Sequence, residues 1–165
     1  MIKIVSINNY LSKDGINSFD CGDEKLNAYL KKYAHQNEMR GLSRTFFLIE
    51  NLKLIGFYTL SSASLEASFL PSISKEKLPN YPIPCIRIGR LAIDKRYQNK
   101  GYGKMLIKDI ILKTLSIANI AGVYALIVEP KESASGFYLK YGFHKVPESG
   151  TYILYVSTIK KLMNN

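Results

Sequence analysis

The stretch with the clearest chemical potential is a basic, glycine-bearing loop between an apolar strand and an apolar-periodic helix. Ile86-Arg87-Ile88-Gly89-Arg90-Leu91-Ala92-Ile93-Asp94 runs into Lys95-Arg96-Tyr97, then into Gln98-Asn99-Lys100-Gly101-Tyr102-Gly103-Lys104. A loop that opens a helix offers backbone N–H groups at the positive end of the helix dipole, which favours an anion. Gly101 and Gly103 let the backbone come close to a phosphate with no Cβ in the way. The spacing Gln98-x-x-Gly101-x-Gly103 lacks the Gly-Lys-Ser/Thr ending of a Walker loop and the three glycines of a dinucleotide fingerprint. On spacing alone, a plain structural turn fits the loop equally.

The elements that must position this loop follow from periodicity. Ile2–Ile7 reads as a first strand. After a polar loop, Asp23 is a good N-cap with Glu24 in the first turn, and Leu26, Tyr29, Leu30, Tyr33 and Ala34 recur at the spacing of one buried helical stripe. Thr45–Ile49 and Leu54–Leu60 form a hairpin turning at Asn51. Pro71, Pro79, Pro82 and Pro84 leave a loop between Glu66 and Pro84. Beyond the glycine loop, Leu106, Ile107, Ile110, Ile111, Leu115 and Ala118 mark the apolar face of a helix. Val123–Val128 is apolar enough for a buried strand, Ser133–Tyr141 reads as a short helix stopped by Gly142, and Tyr152–Ile159 as a last strand.

Composition limits the function classes. The 165 residues fit one domain, 1–165, with 47% hydrophobic and 22% charged residues. No apolar run approaches a membrane span and the start lacks a secretory signal's apolar core, so a cytoplasmic protein is expected. Cys21 with Cys85 and His35 with His144 have no metal-ligand spacing, so no metal is expected. The net charge is +10, from 23 Lys+Arg against 13 Asp+Glu. That balance fits a polyanionic partner such as nucleic acid, or simply a solvated basic surface.

Arg90-Leu91-Ala92-Ile93-Asp94, the Gln98–Lys104 loop and Phe137-Tyr138-Leu139-Lys140-Tyr141-Gly142-Phe143 together resemble the GNAT superfamily of acetyl-CoA-dependent N-acetyltransferases. More narrowly, Phe19-x-Cys21-Gly22 with Leu26-Asn27-x-Tyr29-Leu30, Gly56-Phe57-Tyr58-Thr59-Leu60 and Gly89-Arg90-Leu91-Ala92 resemble the GNAT toxins of bacterial toxin–antitoxin pairs, which acetylate the amino group of aminoacyl-tRNA. Asn99 stands where the family more often has glycine, and Glu129-Pro130 replaces small residues after the fifth strand. The resemblance implies an α/β (α+β) GNAT fold: a single mixed, mostly antiparallel sheet, splayed at the acetyl-CoA site and flanked by helices. It also implies that the main chain of Leu91, Ala92 and Ile93 pairs with pantetheine. The loop Gln98, Asn99, Lys100, Gly101, Tyr102, Gly103 and Lys104 would hold the pyrophosphate.

By its place in the family motif, Tyr138 is the expected general acid. A phenol of pKa about 10 stays protonated at pH 7, while a leaving thiol near 8.5 accepts its proton readily as a thiolate. Glu129 and Asp94 are the available bases, but an α-amine needs one least. At pKa about 7.7–8.0 it is roughly 10–20% neutral at pH 7, some 300-fold more than a lysine amine. Charge clustering marks Lys31, Lys32, Arg40, Arg44, Arg90, Lys95 and Arg96 for tRNA contact. The expected partners are charged tRNA, an antitoxin encoded beside this gene, and a second copy in a homodimer. Two other readings stay open: an acetyltransferase for a small amine or a protein N-terminus, and a catalytically silent acetyl-CoA-binding domain.

Overall fold

The computed structural model describes residues 1–70 and 78–165. Its strands are β1 (Ile2–Ser6), β2 (Arg44–Glu50), β3 (Lys53–Leu65), β4 (Ile83–Ile93), β5 (Ala125–Val128), β6 (His144–Lys145) and β7 (Tyr152–Tyr155). They line up in the order β1-β2-β3-β4-β5-β7-β6. The sheet is mixed: β4 and β5 are parallel, whereas β1–β2, β2–β3, β5–β7 and β6–β7 are antiparallel. The helices are α1 (Lys13–Asn17), α2 (Glu24–Lys32), α3 (Ala34–Met39), α4 (Tyr102–Ala118), α5 (Ser135–Lys140) and α6 (Val156–Met163). Contacts divide the chain into two units, 1–61 with 89–109, and 62–88 with 110–165.

In the first unit the hairpin closes through Asn51 (φ 49°) and Leu52 (φ 68°), the paired left-handed residues of a two-residue turn that matches strand twist. Asp23 caps α2 as expected, its Oδ1 accepting from Lys25 N–H at 2.9 Å and Leu26 N–H at 3.3 Å. The expected single helix is two, however. The backbone leaves helical geometry at Tyr33 (φ −121°, ψ −25°), so Tyr33 is 51% exposed rather than part of the buried stripe. Tyr29, Leu30 and Ala34 do pack, with Phe19, Phe47, Ile49, Phe57 and Ala92, into a core. The polar loop before Asp23 holds the short α1, capped by Ser12 Oγ on Gly15 N–H at 3.1 Å.

In the second unit, Ile83, Cys85, Ala125, Ile127, Val146 and Ile153 form the core. Of the expected loop between Glu66 and Pro84, residues 71–77 with Pro71 lie outside the described residues. Ala67–Phe69 makes one 3-10 turn, and β4 starts at Ile83 rather than Ile86, running through Pro84. All four residues of β5 are buried, but Val123 and Tyr124 precede it. The expected last strand is corrected: it stops at Tyr155, and Val156–Ile159 opens α6 instead. Residues 152–159 look strand-like by composition, yet Val156 and Ile159 are buried at i, i+3 while Lys160 and Lys161 stay exposed, which is helical spacing. In α4, Leu106, Ile107 and Ile110 are fully buried, whereas Ile111, Leu115 and Ala118 are only half-buried.

Candidate active site

The first unit holds the loop. Gln98, Asn99, Lys100 and Gly101 are exposed, and α4 starts at Tyr102, so Gly103 and Lys104 lie in its first turn, where N–H groups have no helical acceptor. Gly101 has φ +87°, and a Cβ there would meet nothing within 4 Å; backbone conformation, not lack of room, requires the glycine. Asn99 takes φ 61°, and asparagine is among the few non-glycine residues that adopt this region readily. The departure from glycine at position 99 therefore keeps the loop's shape.

The Gln98 side chain is engaged within the unit. Its Nε2 donates to Cys21 O and to Ile93 O, both at 2.9 Å, so the amide ties the loop to the end of β4 and to the segment before α2. Below it, Asp94 is buried and saturated. It accepts from Asp20 N–H at 3.1 Å, Arg96 N–H at 2.9 Å, Arg96 Nε at 2.9 Å and Arg96 Nη2 at 2.8 Å. Burial pushes its carboxyl up, but the Arg96 side chain and these N–H bonds outweigh that and hold it below the usual carboxylate range. Asp94 is thus an ionised structural anchor and no candidate base. β4's end is reached closely by β3: a Cβ on Gly56 would lie 2.5 Å from Ile93 Cδ1 and 2.7 Å from Ala92 O, so only glycine fits. Leu91 and Ile93 are half-buried and Ala92 is buried.

Four of the expected tRNA-contacting cations are engaged within this unit. Lys95 Nζ pairs with Asp20 at 2.7 Å, Arg96 with Asp94, and Arg44 Nη1 with Glu38 Oε1 at 3.4 Å. Arg90 stacks its guanidinium 3.5 Å above the Tyr29 ring, whose hydroxyl lies 3.0 Å from Ser43 Oγ. Lys31, Lys32 and Arg40 are exposed. Sequence reasoning named Asn27 only as part of a motif and missed its role: it is buried on α2, accepts from Cys21 N–H at 2.9 Å and donates to Asp20 Oδ1 at 2.9 Å. An amide on an otherwise apolar helical stripe was the signal available.

The second unit holds Tyr138. It sits on α5, only 5% exposed, with Phe137 and Phe143 packed edge-on at 5.2 and 5.4 Å. Gly142 (φ +93°) ends the helix and lets Phe143 N–H return to Tyr138 O at 3.2 Å. Burial pushes the phenol well above its ordinary pKa, so the hydroxyl is a proton donor throughout the physiological range. Tyr141, a turn later, is half-buried against Phe137 at 5.0 Å. Glu129, directly after β5, is 61% exposed and faces Arg87 Nη2 at 3.7 Å.

A family model described as the acetyltransferase (GNAT) domain matches residues 42–145, and the chain belongs to the GNAT acetyltransferase family. It is 31% identical to the tRNA-acetylating toxin of Mycobacterium tuberculosis, over 86% of this chain and 85% of that protein. Among solved structures it resembles AtaT complexed with acetyl-methionyl-tRNAfMet, at 28% identity and a TM-score of 0.89, covering 99% of each chain. It also resembles AtaTR bound with AcCoA, at 29% identity and a TM-score of 0.81, covering 99% of this chain and 97% of that one. The expected mixed sheet flanked by helices is the fold observed.

Proposed function

We propose that this chain, acting over 1–165 as one catalytic domain, is a toxin that moves the acetyl group of acetyl-CoA to the α-amino group of aminoacyl-tRNA. The observation that carries the reading is Tyr138, a buried phenol that is protonated at neutral pH, on the helix ended by Gly142. The similarity to a tRNA-acetylating toxin and to AtaT holding acetyl-methionyl-tRNAfMet supports it. The N–H groups of Asn99 to Lys104 and the cations of Lys100 and Lys104 hold the pyrophosphate, with Gln98 fixing the loop through its side chain. The main chain of Leu91, Ala92 and Ile93 pairs with pantetheine as an added strand would.

The neutral amine attacks the thioester carbonyl, a C–N bond forms, the C–S bond breaks, and the thiolate takes the Tyr138 proton. The amine's own proton passes to solvent. An α-amine is neutral often enough that no strong base is required, which fits a site where Asp94 is saturated and Glu129 lies exposed beside Arg87. Lys31, Lys32 and Arg40 are the cations best placed to meet tRNA phosphates, because Arg44, Lys95 and Arg96 are already paired. Arg90 keeps its guanidinium edge while stacked on Tyr29. A homodimer, a cognate antitoxin and a cytoplasmic site of action complete the proposal. Among the described residues no helix is long and apolar enough to cross a membrane.

The test is mass spectrometry of charged tRNA incubated with the protein and acetyl-CoA. An added acetyl group on the aminoacyl moiety is expected. Acetylation of polyamines or protein N-termini with charged tRNA untouched would overturn the reading.

A further inference from the structure

Arginine takes oxyanions side-on, through the two parallel donors of its Nε and Nη2 edge. Arg96 in this chain has that edge filled, with Nε on Asp94 Oδ1 at 2.9 Å and Nη2 on Asp94 Oδ2 at 2.8 Å. Arg87 has the same edge open. Its Nε is buried with no hydrogen-bond partner, and its Nη2 lies 3.7 Å from Glu129 Oε1, beyond hydrogen-bond reach. A buried donor left unmet is costly, and folded proteins rarely keep one without a use.

The place of this residue narrows the use. The β4–β5 ladder runs from Cys85↔Ala125 to Ile88↔Val128, so Arg87 pairs with Ile127 one step before the ladder ends. Glu129 is the first residue beyond it and, at 61% exposed, is free to turn into solvent. On β4, Arg87 shares its face with the buried Ile83 and Cys85 and lies in register with the buried Ile127, while its side chain stays 41% exposed and open to a ligand from solvent.

Resting on the acyl-transfer reading above, we propose that the open edge of Arg87 receives the phosphodiester nearest the aminoacyl end of the acceptor. Glu129 is then a weak internal stand-in that the phosphate displaces. An aminoacyl ester sits on a terminal nucleoside whose 5′ phosphodiester is the nearest fixed anion to the reacting amine. Pantetheine is uncharged and the pyrophosphate belongs to the Gln98–Lys104 loop, so the cofactor does not require this arginine. A free α-amine or a polyamine carries no phosphate and leaves the edge empty. Arg87 thereby discriminates nucleotide-linked amines from free ones.

The probe is cytidylyl-(3′,5′)-adenosine, which carries one phosphodiester, compared with adenosine, which carries none. It is titrated into the full chain with acetyl-CoA present while the arginine Nε–H resonances are followed by NMR. The Arg87 Nε–H signal, identified by its loss in Arg87→Lys, is expected to shift with the dinucleotide and to stay in place with adenosine. Arg87→Lys and Arg87→Met should each weaken the dinucleotide by at least about tenfold, as loss of a charge-assisted pair implies. Glu129→Gln should tighten it. An Arg87 signal that ignores the dinucleotide, or equal affinity in wild type and both variants, overturns the proposal. The binding signal does not need turnover. If Arg87 responds but charged tRNA is not acetylated, it is the acyl-transfer reading that fails. If charged tRNA is acetylated and Arg87 is silent, it is this proposal.

Discussion

Arg96 and Arg87 each face a carboxylate, and the two meetings end differently. Arg96 closes on Asp94 through both donors of one edge, and the carboxylate is buried and further bonded by two backbone N–H groups. Arg87 meets Glu129 only at 3.7 Å, with Nε left unmet. The first pair sits under the loop that needs a fixed shape, and it leaves no free valence. The second sits at the end of a strand ladder with a donor to spare. Around the first pair the polar groups are likewise engaged: Asp20 accepts from Asn27 and pairs with Lys95, and Gln98 donates to Cys21 O. Tyr138 and Arg87 are the donors proposed to meet a ligand. A saturated polar network fixes the shape of a platform, whereas a donor without a partner can still meet a ligand.

The sharpest way to break that contrast is Tyr138→Phe, which removes a poised donor and leaves the ring. Acetyl transfer should fall by about 10²–10⁴-fold. Folding should change by no more than about 1 kcal/mol, and acetyl-CoA affinity should hardly move. Initial rates alongside thermal unfolding check this; full activity would refute the acid role.

Asp94→Ala tests the saturated side, and here stability rather than rate is the readout. Removing the carboxylate leaves two backbone N–H groups without their acceptor, while Arg96, 56% exposed, can turn to water, so the cost should be about 1–3 kcal/mol in chemical unfolding. Because the folded-state pKa of Asp94 lies below its unfolded value, its contribution is present above about pH 4 and is lost as pH falls through the lower folded value. The gap between wild type and variant should therefore hold steady from neutral pH to about pH 4 and close only in stronger acid. A gap that closed near pH 6 would show that another group carries it.

Acetyl-CoA at a hundred times its Kd should stabilise the fold by about 2.7 kcal/mol. Gly103→Glu, which places a carboxylate in the first turn of α4, should abolish that gain. A melting temperature that still rises with acetyl-CoA would displace the phosphate site from the loop.

The cations sharpen the comparison at a smaller scale. Neutralising Lys31, Lys32 or Arg40 should each lower the slope of log affinity for tRNA against log salt by somewhat under about one unit. Neutralising Arg44, Lys95 or Arg96, which already hold carboxylates, should change the slope less. Equal slopes for both sets would place the interface elsewhere. Smallest of all is Tyr141→Phe: one turn from Tyr138 and half-buried against Phe137, it should remain active, with stability altered by less than about 1 kcal/mol. Equal loss from both tyrosines would mean that packing was mistaken for chemistry.

Local patterns settled a good part of this protein before any coordinates. The Asp23 cap, the turn at Asn51, the glycine loop opening α4 and the helix stopped by Gly142 are all written in short windows, because each depends on dihedral preference or a hydrogen bond a few residues away. Tyr138 was singled out by its motif, and the structure places it buried on the helix that Gly142 ends. What sequence windows could not decide was any choice between partners far apart in the chain. The stripe through Tyr33 looked continuous, but the packing of α2 and α3 bends the backbone there. Residues 156–159 have strand-like composition, and only burial of Val156 and Ile159 makes them helix. The cations of Arg44, Lys95 and Arg96 looked alike to those of Lys31, Lys32 and Arg40 until carboxylates from Glu38, Asp20 and Asp94 reached them. The anchoring role of the Gln98 side chain was hidden for the same reason, since its amide finds Cys21 O across 77 positions of chain. A charge or an amide is visible in the sequence, but whether it is already satisfied is a property of the tertiary structure alone, because the group that satisfies it lies elsewhere in the chain.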